Sequence, residues 1–128
     1  MTTVIHFGIP RELLLTANQR MHWRKKAQRT KAIRELADVQ TRTFKAEPMQ
    51  AAHCLVELSW PDRRRRDAHN LMPTIKACID GIVDANLLPD DSDKHLTGPD
   101  LRPAAQPLKM PGIAVYLTFN FTPTGGTR

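Results

Sequence analysis

Residues 51–60 constrain the fold more than any other segment. Cys54, Val56, Leu58 and Trp60 fall on one face of a period-two pattern, with His53, Glu57 and Ser59 on the other and Leu55 as the exception. Such alternation is a strand with one buried face. It runs directly into Pro61-Asp62-Arg63-Arg64-Arg65-Arg66-Asp67-Ala68-His69-Asn70, so four consecutive arginines sit in a loop at the strand's C-terminal end. Adjacent guanidinium groups repel one another and are relieved by a polyanion or by water. A carboxylate beside them would weaken phosphate binding unless it holds a metal ion that acts on the phosphate.

The other elements follow from periodicity and punctuation. Residues 3–9 read as a strand with Ile5, Phe7 and Ile9 on one face, ended by Pro10. Residues 11–20 form a connector in which Thr16-Ala17-Asn18-Gln19 carries turn chemistry. A helix is expected over 21–44, with Ile33, Leu36, Ala37, Gln40 and Phe44 as its apolar stripe. A second helix is expected around Ile75, Cys78, Ile79, Ile82 and Val83. Pro73 fits only its first turn, and Asn86 suits a left-handed cap. Residues 93–111 hold four of the ten prolines and little periodicity, with a short strand at 94–97 at most. Residues 112–121 are a strong strand, alternating Ile113, Val115, Leu117, Phe119 and Phe121 with Ala114, Tyr116, Thr118 and Asn120. The expectation is an α/β (α+β) fold: one small domain over 1–121, a mixed sheet of about four strands with two main helices, and a flexible tail at 122–128.

Charge narrows the function. Lys and Arg number 19 against 13 Asp and Glu, a net charge of +6, which favours an anionic partner. Seven cations and no acid lie between Glu12 and Glu35: Arg20, Arg24, Lys25, Lys26, Arg29, Lys31 and Arg34. They make either a solvated helix face or a duplex-binding surface. No stretch nears the ~20 apolar residues of a membrane span, and the N-terminus lacks signal-peptide character, so a cytoplasmic protein is expected. Cys54 and Cys78 read as free core thiols. Without a CxxC, a structural zinc site is not expected.

A second acidic cluster, Asp90-Asp91-Ser92-Asp93, follows the second helix. Phosphodiester hydrolysis requires an activated water, a stabilised leaving oxygen and neutralised phosphate charge. Mg²⁺ supplies all three when a few hard oxygen ligands leave positions open. Asp67 with Asp90 and Asp91 could form such a cage if tertiary packing brings their loops together. Asp90 and Asp91 could equally make a polar turn. Lys76, off the apolar stripe, can face the Asp67 loop and stabilise phosphorane charge, or it can form an i, i+4 ion pair with Asp80. Asp80 and Asp84 read as the wet face of the helix.

The strand followed by Pro-Asp-Arg-Arg-Arg-Arg-Asp-x-x-Asn-Leu, then Lys-Ala-x-x-Asp-Gly-Ile-x-Asp-Ala, then Leu-x-Pro-Asp-Asp resembles the RusA family of Holliday junction resolvases, over about residues 56–91. Asn18-Gln19-Arg20 ahead of the basic helix is compatible with it. The resemblance implies a homodimeric, Mg²⁺-dependent endonuclease of bacterial or phage-infected cells that nicks four-way DNA junctions symmetrically. It implies Asp67, Lys76 and Asp91 as catalytic residues, with Asp67 and Asp91 as metal ligands. Phosphate and base contacts are expected from Arg63, Arg64, Arg65, Arg66, Asn18, Arg20, Arg24, Lys25 and Asn70. Two departures stand out. His69 occupies the place of the family's second aspartate, which admits His69 or Asp90 as a ligand and Mn²⁺ as an alternative metal. Met72-Pro73-Thr74 adds about three residues before Lys76. Competing readings are a non-cleaving branched-DNA-binding protein on the same fold, another nuclease of the HNH kind suggested faintly by His69-Asn70, and an RNA-binding module. Only 5% aromatic residues argue against the last.

Overall fold

Alternating apolar side chains from three segments meet on one face of a single sheet. The computed structural model describes residues 1–62 and 66–125. Its elements are β1 (Thr3–Pro10), α1 (Trp23–Phe44), β2 (Ala52–Ser59), α2 (Met72–Asp84), β3 (Leu96–Pro103) and β4 (Ile113–Pro123). Two short 3-10 turns, Arg11–Leu13 and Ala68–Leu71, lie between them. The sheet order is β1-β4-β2-β3. β4 runs antiparallel to both β1 and β2, whereas β2 and β3 are parallel. A parallel pair needs a crossover, and α2 lies within the one that joins β2 to β3. This is the α+β domain with a four-stranded mixed sheet and two helices that the pattern leads one to expect.

The core joins Ile5, Phe7 and Ile9 of β1, Cys54, Val56 and Leu58 of β2, and Val115, Leu117, Phe119 and Phe121 of β4 to Ile33 and Ala37 of α1 and Ile75, Cys78, Ile79 and Ile82 of α2. Each large side chain so buried contributes roughly 1.5–3 kcal/mol. Both cysteines are buried and free, and burial pushes the Cys54 thiol up to about 12. Among the described residues no helix is long and apolar enough to cross a membrane.

α1 starts at Trp23 rather than at residue 21, because the His22 ring accepts the Arg24 backbone N–H at 3.1 Å and caps the helix there. Its buried stripe is Ile33, Ala37 and Thr41. Thr41 enters the core by donating its hydroxyl to the Ala37 carbonyl at 2.7 Å, while Phe44 remains at the rim against His6. α2 carries Pro73 in its first turn, and Asn86 adopts φ 70° just beyond its end, as the sequence predicts. The two helices cross at Gly81, where a Cβ would stand 2.1 Å from the Arg34 carbonyl oxygen.

Two expectations need correction. β3 spans eight residues instead of the short 94–97 segment. It is an edge strand, mostly exposed, so it shows no apolar alternation and tolerates Pro99 and Pro103. The sheet also continues into the segment expected to be a flexible tail. Thr122 pairs with His53 and Pro123 with Ala52, and the Thr124 N–H donates to the Ala51 carbonyl at 3.1 Å. The start of β2 supplies partners for these groups, and only residues 126–128 of that tail lie outside the described residues.

Candidate functional site

The loop after β2 closes on itself. Arg66 donates to both carboxylate oxygens of Asp62, at 2.7 and 3.3 Å, and its guanidinium lies 4.8 Å from the centre of the Trp60 ring. Arg66 is therefore engaged at the base of the loop. Arg63, Arg64 and Arg65 lie outside the described residues.

Asp67 leads out of this loop as the N-cap of the Ala68–Leu71 turn. Its Oδ1 accepts the His69 N–H at 3.0 Å, and Oδ2 has no hydrogen bond among the described residues. Asp67 and His69 are both exposed. A segment distant in sequence is fastened to this turn. The Ala17 N–H donates to the Asn70 carbonyl at 2.8 Å. Buried Thr74 exchanges two hydrogen bonds with Leu15, accepting its N–H at 2.9 Å and donating to its carbonyl at 2.8 Å. Ala17 is thereby held at Asn70, and the exposed Asn18 follows it directly in the chain.

Lys76 finds its partners on its own helix and on the second acidic loop. Its ammonium donates to Asp80 Oδ1 at 2.8 Å and to Asp91 Oδ2. The i, i+4 pair with Asp80 and the contact with the second acidic loop thus coexist on one cation. Hydrogen bonds to Asp80 and Asp91 raise the Lys76 pKa above the ordinary lysine range, so it is a cation at neutral pH. Asp91 Oδ1 has no hydrogen bond among the described residues. Asp90 has a local duty: its Oδ1 accepts the Ser92 N–H at 2.7 Å, and hydrogen bonds from Ser92 hold its carboxyl below the ordinary range.

The donor set decides what metal could be held. Among the described residues no three His, Cys, Asp or Glu side chains form a group suited to a metal ion. The structure does not bring Asp67, His69, Asp90 and Asp91 together as one cage. Among the described residues, Asp67 and Asp91 each present one carboxylate oxygen without a hydrogen-bond partner. That chemistry suits Mg²⁺, which commonly takes one or two carboxylates and completes its octahedron with water and substrate phosphate.

The basic helix divides into engaged and unengaged cations. Arg29 donates to the Leu14 carbonyl at 3.0 Å. Arg34 grips Asp84 with two hydrogen bonds, at 2.6 and 2.8 Å. Asp84 is therefore an interhelix anchor, and Asp80 a partner of Lys76, rather than a merely wet helix face. Arg24 and Lys25 are exposed, as are Lys26 and Lys31. Sequence reading passed over Trp23, which is 68% exposed and has the Arg24 guanidinium 5.2 Å from its ring centre. The signal was available: Trp23 is an aromatic at the first helical position, ten residues ahead of Ile33, where the buried stripe begins.

Compared with known proteins, the chain matches no family model and no curated sequence.

Proposed function

We propose that this protein is a metal-dependent endodeoxyribonuclease that resolves four-way DNA junctions by paired nicks, in the manner the RusA resemblance implies. The observation that carries the proposal is the meeting of Lys76 with Asp91. Fifteen positions separate them, and both belong to the motif on which the resemblance rests. A helix lysine fixed to a loop carboxylate puts fixed positive charge beside an exposed acid, as phosphate chemistry requires. Asn18 and Arg20, on the segment that Ala17 ties to Asn70, extend the phosphate-binding surface from the turn that follows Asp67.

In this reading Asp67 and Asp91 hold Mg²⁺, which when bound supplies an activated water and neutralises phosphate charge. Lys76 orients Asp91 and adds positive charge near the scissile phosphate. Arg20, Arg24 and Lys25 hold the arms of the junction, together with the arginines of the loop. The junction is two-fold symmetric and each chain carries one acidic constellation, so a C2 homodimer supplies both cuts. The setting is the cytoplasm of a bacterial or phage-infected cell.

One observation favours a second reading, a non-cleaving junction-binding protein: His69 stands where the resemblance expects a carboxylate. Cleavage of a synthetic mobile four-way junction, with Mg²⁺ and Mn²⁺ in parallel and linear duplex as control, separates the two. Paired nicks on opposing strands support the nuclease. Tight junction binding without nicks under either metal leaves the binding protein.

A further inference from the structure

The exposed aromatic face of α1 has no place in the reading above. Trp23, Lys26, Ala27, Thr30, Lys31 and Arg34 line a shallow groove of about 450 Å³ along the first half of the helix. The spacing 23, 27, 30, 34 places these residues on one face, which further along the helix carries buried Thr41 and here runs ahead of the packed stripe. The indole is 68% exposed and forms one end of the groove. It stacks on the His22 ring, with centroids 5.7 Å apart and planes 26° apart, and His22 in turn caps the helix. The ring's neighbours are thus the residues of the helix start, the His22 ring and the Arg24 guanidinium 5.2 Å from its centre. Lys26 and Lys31 are exposed and make no ion pair among the described residues, and no acid occurs from Leu13 to Arg34.

We propose that this face is a stacking platform for an unpaired segment of a DNA strand, with a base on Trp23 and its flanking phosphates on Lys26 and Lys31. Two physical facts select this occupant. An exposed indole beside cations matches the pairing of stacking and backbone contact by which single strands are held. Charge excludes a second copy of the same face, because two surfaces carrying Arg24, Lys25, Lys26 and Lys31 repel one another. A duplex would satisfy the lysines but leave the indole with no base face to cover. The chain that precedes the helix is tied to the Asn70 turn through Ala17 and to α2 through Leu15. The platform rests on the branched-DNA part of the proposed function and is independent of cleavage. A branch point is where such unpaired bases become accessible.

The test is binding of labelled oligothymidylate, linear duplex and a four-way junction by the full chain and by Trp23→Ala, Trp23→Phe and the double variant Lys26→Ala/Lys31→Ala. Circular dichroism and sedimentation are run on each. Trp23→Ala should bind oligothymidylate about tenfold more weakly, within the range that one stacked base contributes, and duplex unchanged. Trp23→Phe should retain most of the affinity. The lysine variant should lower the log–log salt slope on the single strand by about 1.4, at roughly 0.7 per phosphate contact. Equal affinity of Trp23→Ala and wild type for oligothymidylate overturns the proposal. An equal loss on single strand and duplex, or a changed oligomeric state in Trp23→Ala, overturns it as well. If Trp23-dependent single-strand binding is present and no junction is nicked, cleavage fails and the platform stands. If junctions are nicked and Trp23→Ala binds as wild type, only the platform fails.

Discussion

Asp80 and Asp84 lie one turn apart on α2 and serve opposite ends. Asp84 meets the planar fork of Arg34 with both oxygens, and Arg42 donates to the Asp84 carbonyl at 3.0 Å while also binding Asp38 at 2.6 Å. Cations and carboxylates are matched there, and the result is a clamp between α1 and α2. Asp80 instead shares the single ammonium of Lys76 with Asp91. One positive charge faces two negative ones, and an excess of negative charge remains at an exposed loop. A bidentate guanidinium fixes geometry, whereas an ammonium is a point charge that can serve several acceptors. Matched clusters hold folds together; unmatched ones attract ions, and in the proposed function the unmatched one belongs to the site.

Neutralising one acid from each cluster breaks the comparison most sharply. Asp91→Asn should lower junction nicking by about 10³-fold or more, equivalent to about 4 kcal/mol of transition-state stabilisation. Junction affinity should be equal or tighter, because a negative charge near phosphate is gone. Unfolding by urea should be nearly unchanged, since Asp91 is exposed and Lys76 keeps Asp80. Nicking assays and fluorescence anisotropy on the same preparation check both halves. A parallel loss of binding would mean that Asp91 shapes the loop rather than serving chemistry.

Gly81 lies between the two acids and supports the clamp. An alanine there would place its Cβ 2.1 Å from the Arg34 carbonyl oxygen and 2.8 Å from the Ala37 Cβ, and the nearest obstacle is backbone that cannot rotate away. Gly81→Ala should cost about 3 kcal/mol, the upper end for overpacking, by forcing α1 from α2 and opening the Arg34–Asp84 contact. Denaturant unfolding measures it. A loss of only a few tenths would show that the helices separate easily.

What was legible in the sequence divides along similar lines. β1, β2 and β4 alternate cleanly because one face of each is buried, and Pro73 and Asn86 bracket α2 through backbone conformation alone. β3 escaped because an exposed edge strand needs no apolar period, and β4 runs longer than expected because its partner, not its own residues, sets its end. Within the site, Asp67, Lys76 and Asp91 were named from motif order. That Lys76 meets Asp91, fifteen residues on, depends on tertiary packing that no local pattern marks. Arg34 and Asp84 are fifty residues apart, and no local pattern marks them as partners. Trp23 was visible as an aromatic ahead of the apolar stripe, but composition counts rings without saying which are exposed.

Asp84→Asn gives the smallest effect and the cleanest test of what a matched cluster contributes. Arg34 holds the Asp84 carboxyl below its ordinary value of 3.8, and the acid in turn raises the Arg34 pKa. A lowered folded-state value means that the folded protein keeps the charge more readily than the unfolded chain. The stabilisation is therefore complete above the ordinary carboxylate value and disappears as pH falls through the lowered one. The two side chains are 49% and 35% exposed, so solvent screening keeps the contribution to about 0.5–1 kcal/mol at neutral pH. Urea unfolding of wild type and Asp84→Asn should differ by that amount at neutral pH and in low salt. The gap should narrow with added salt and close in a pH series descending below 3.8. A gap that persists undiminished in acid would assign the effect to hydrogen-bond geometry or packing, and the charge-matching account of the clamp would fail.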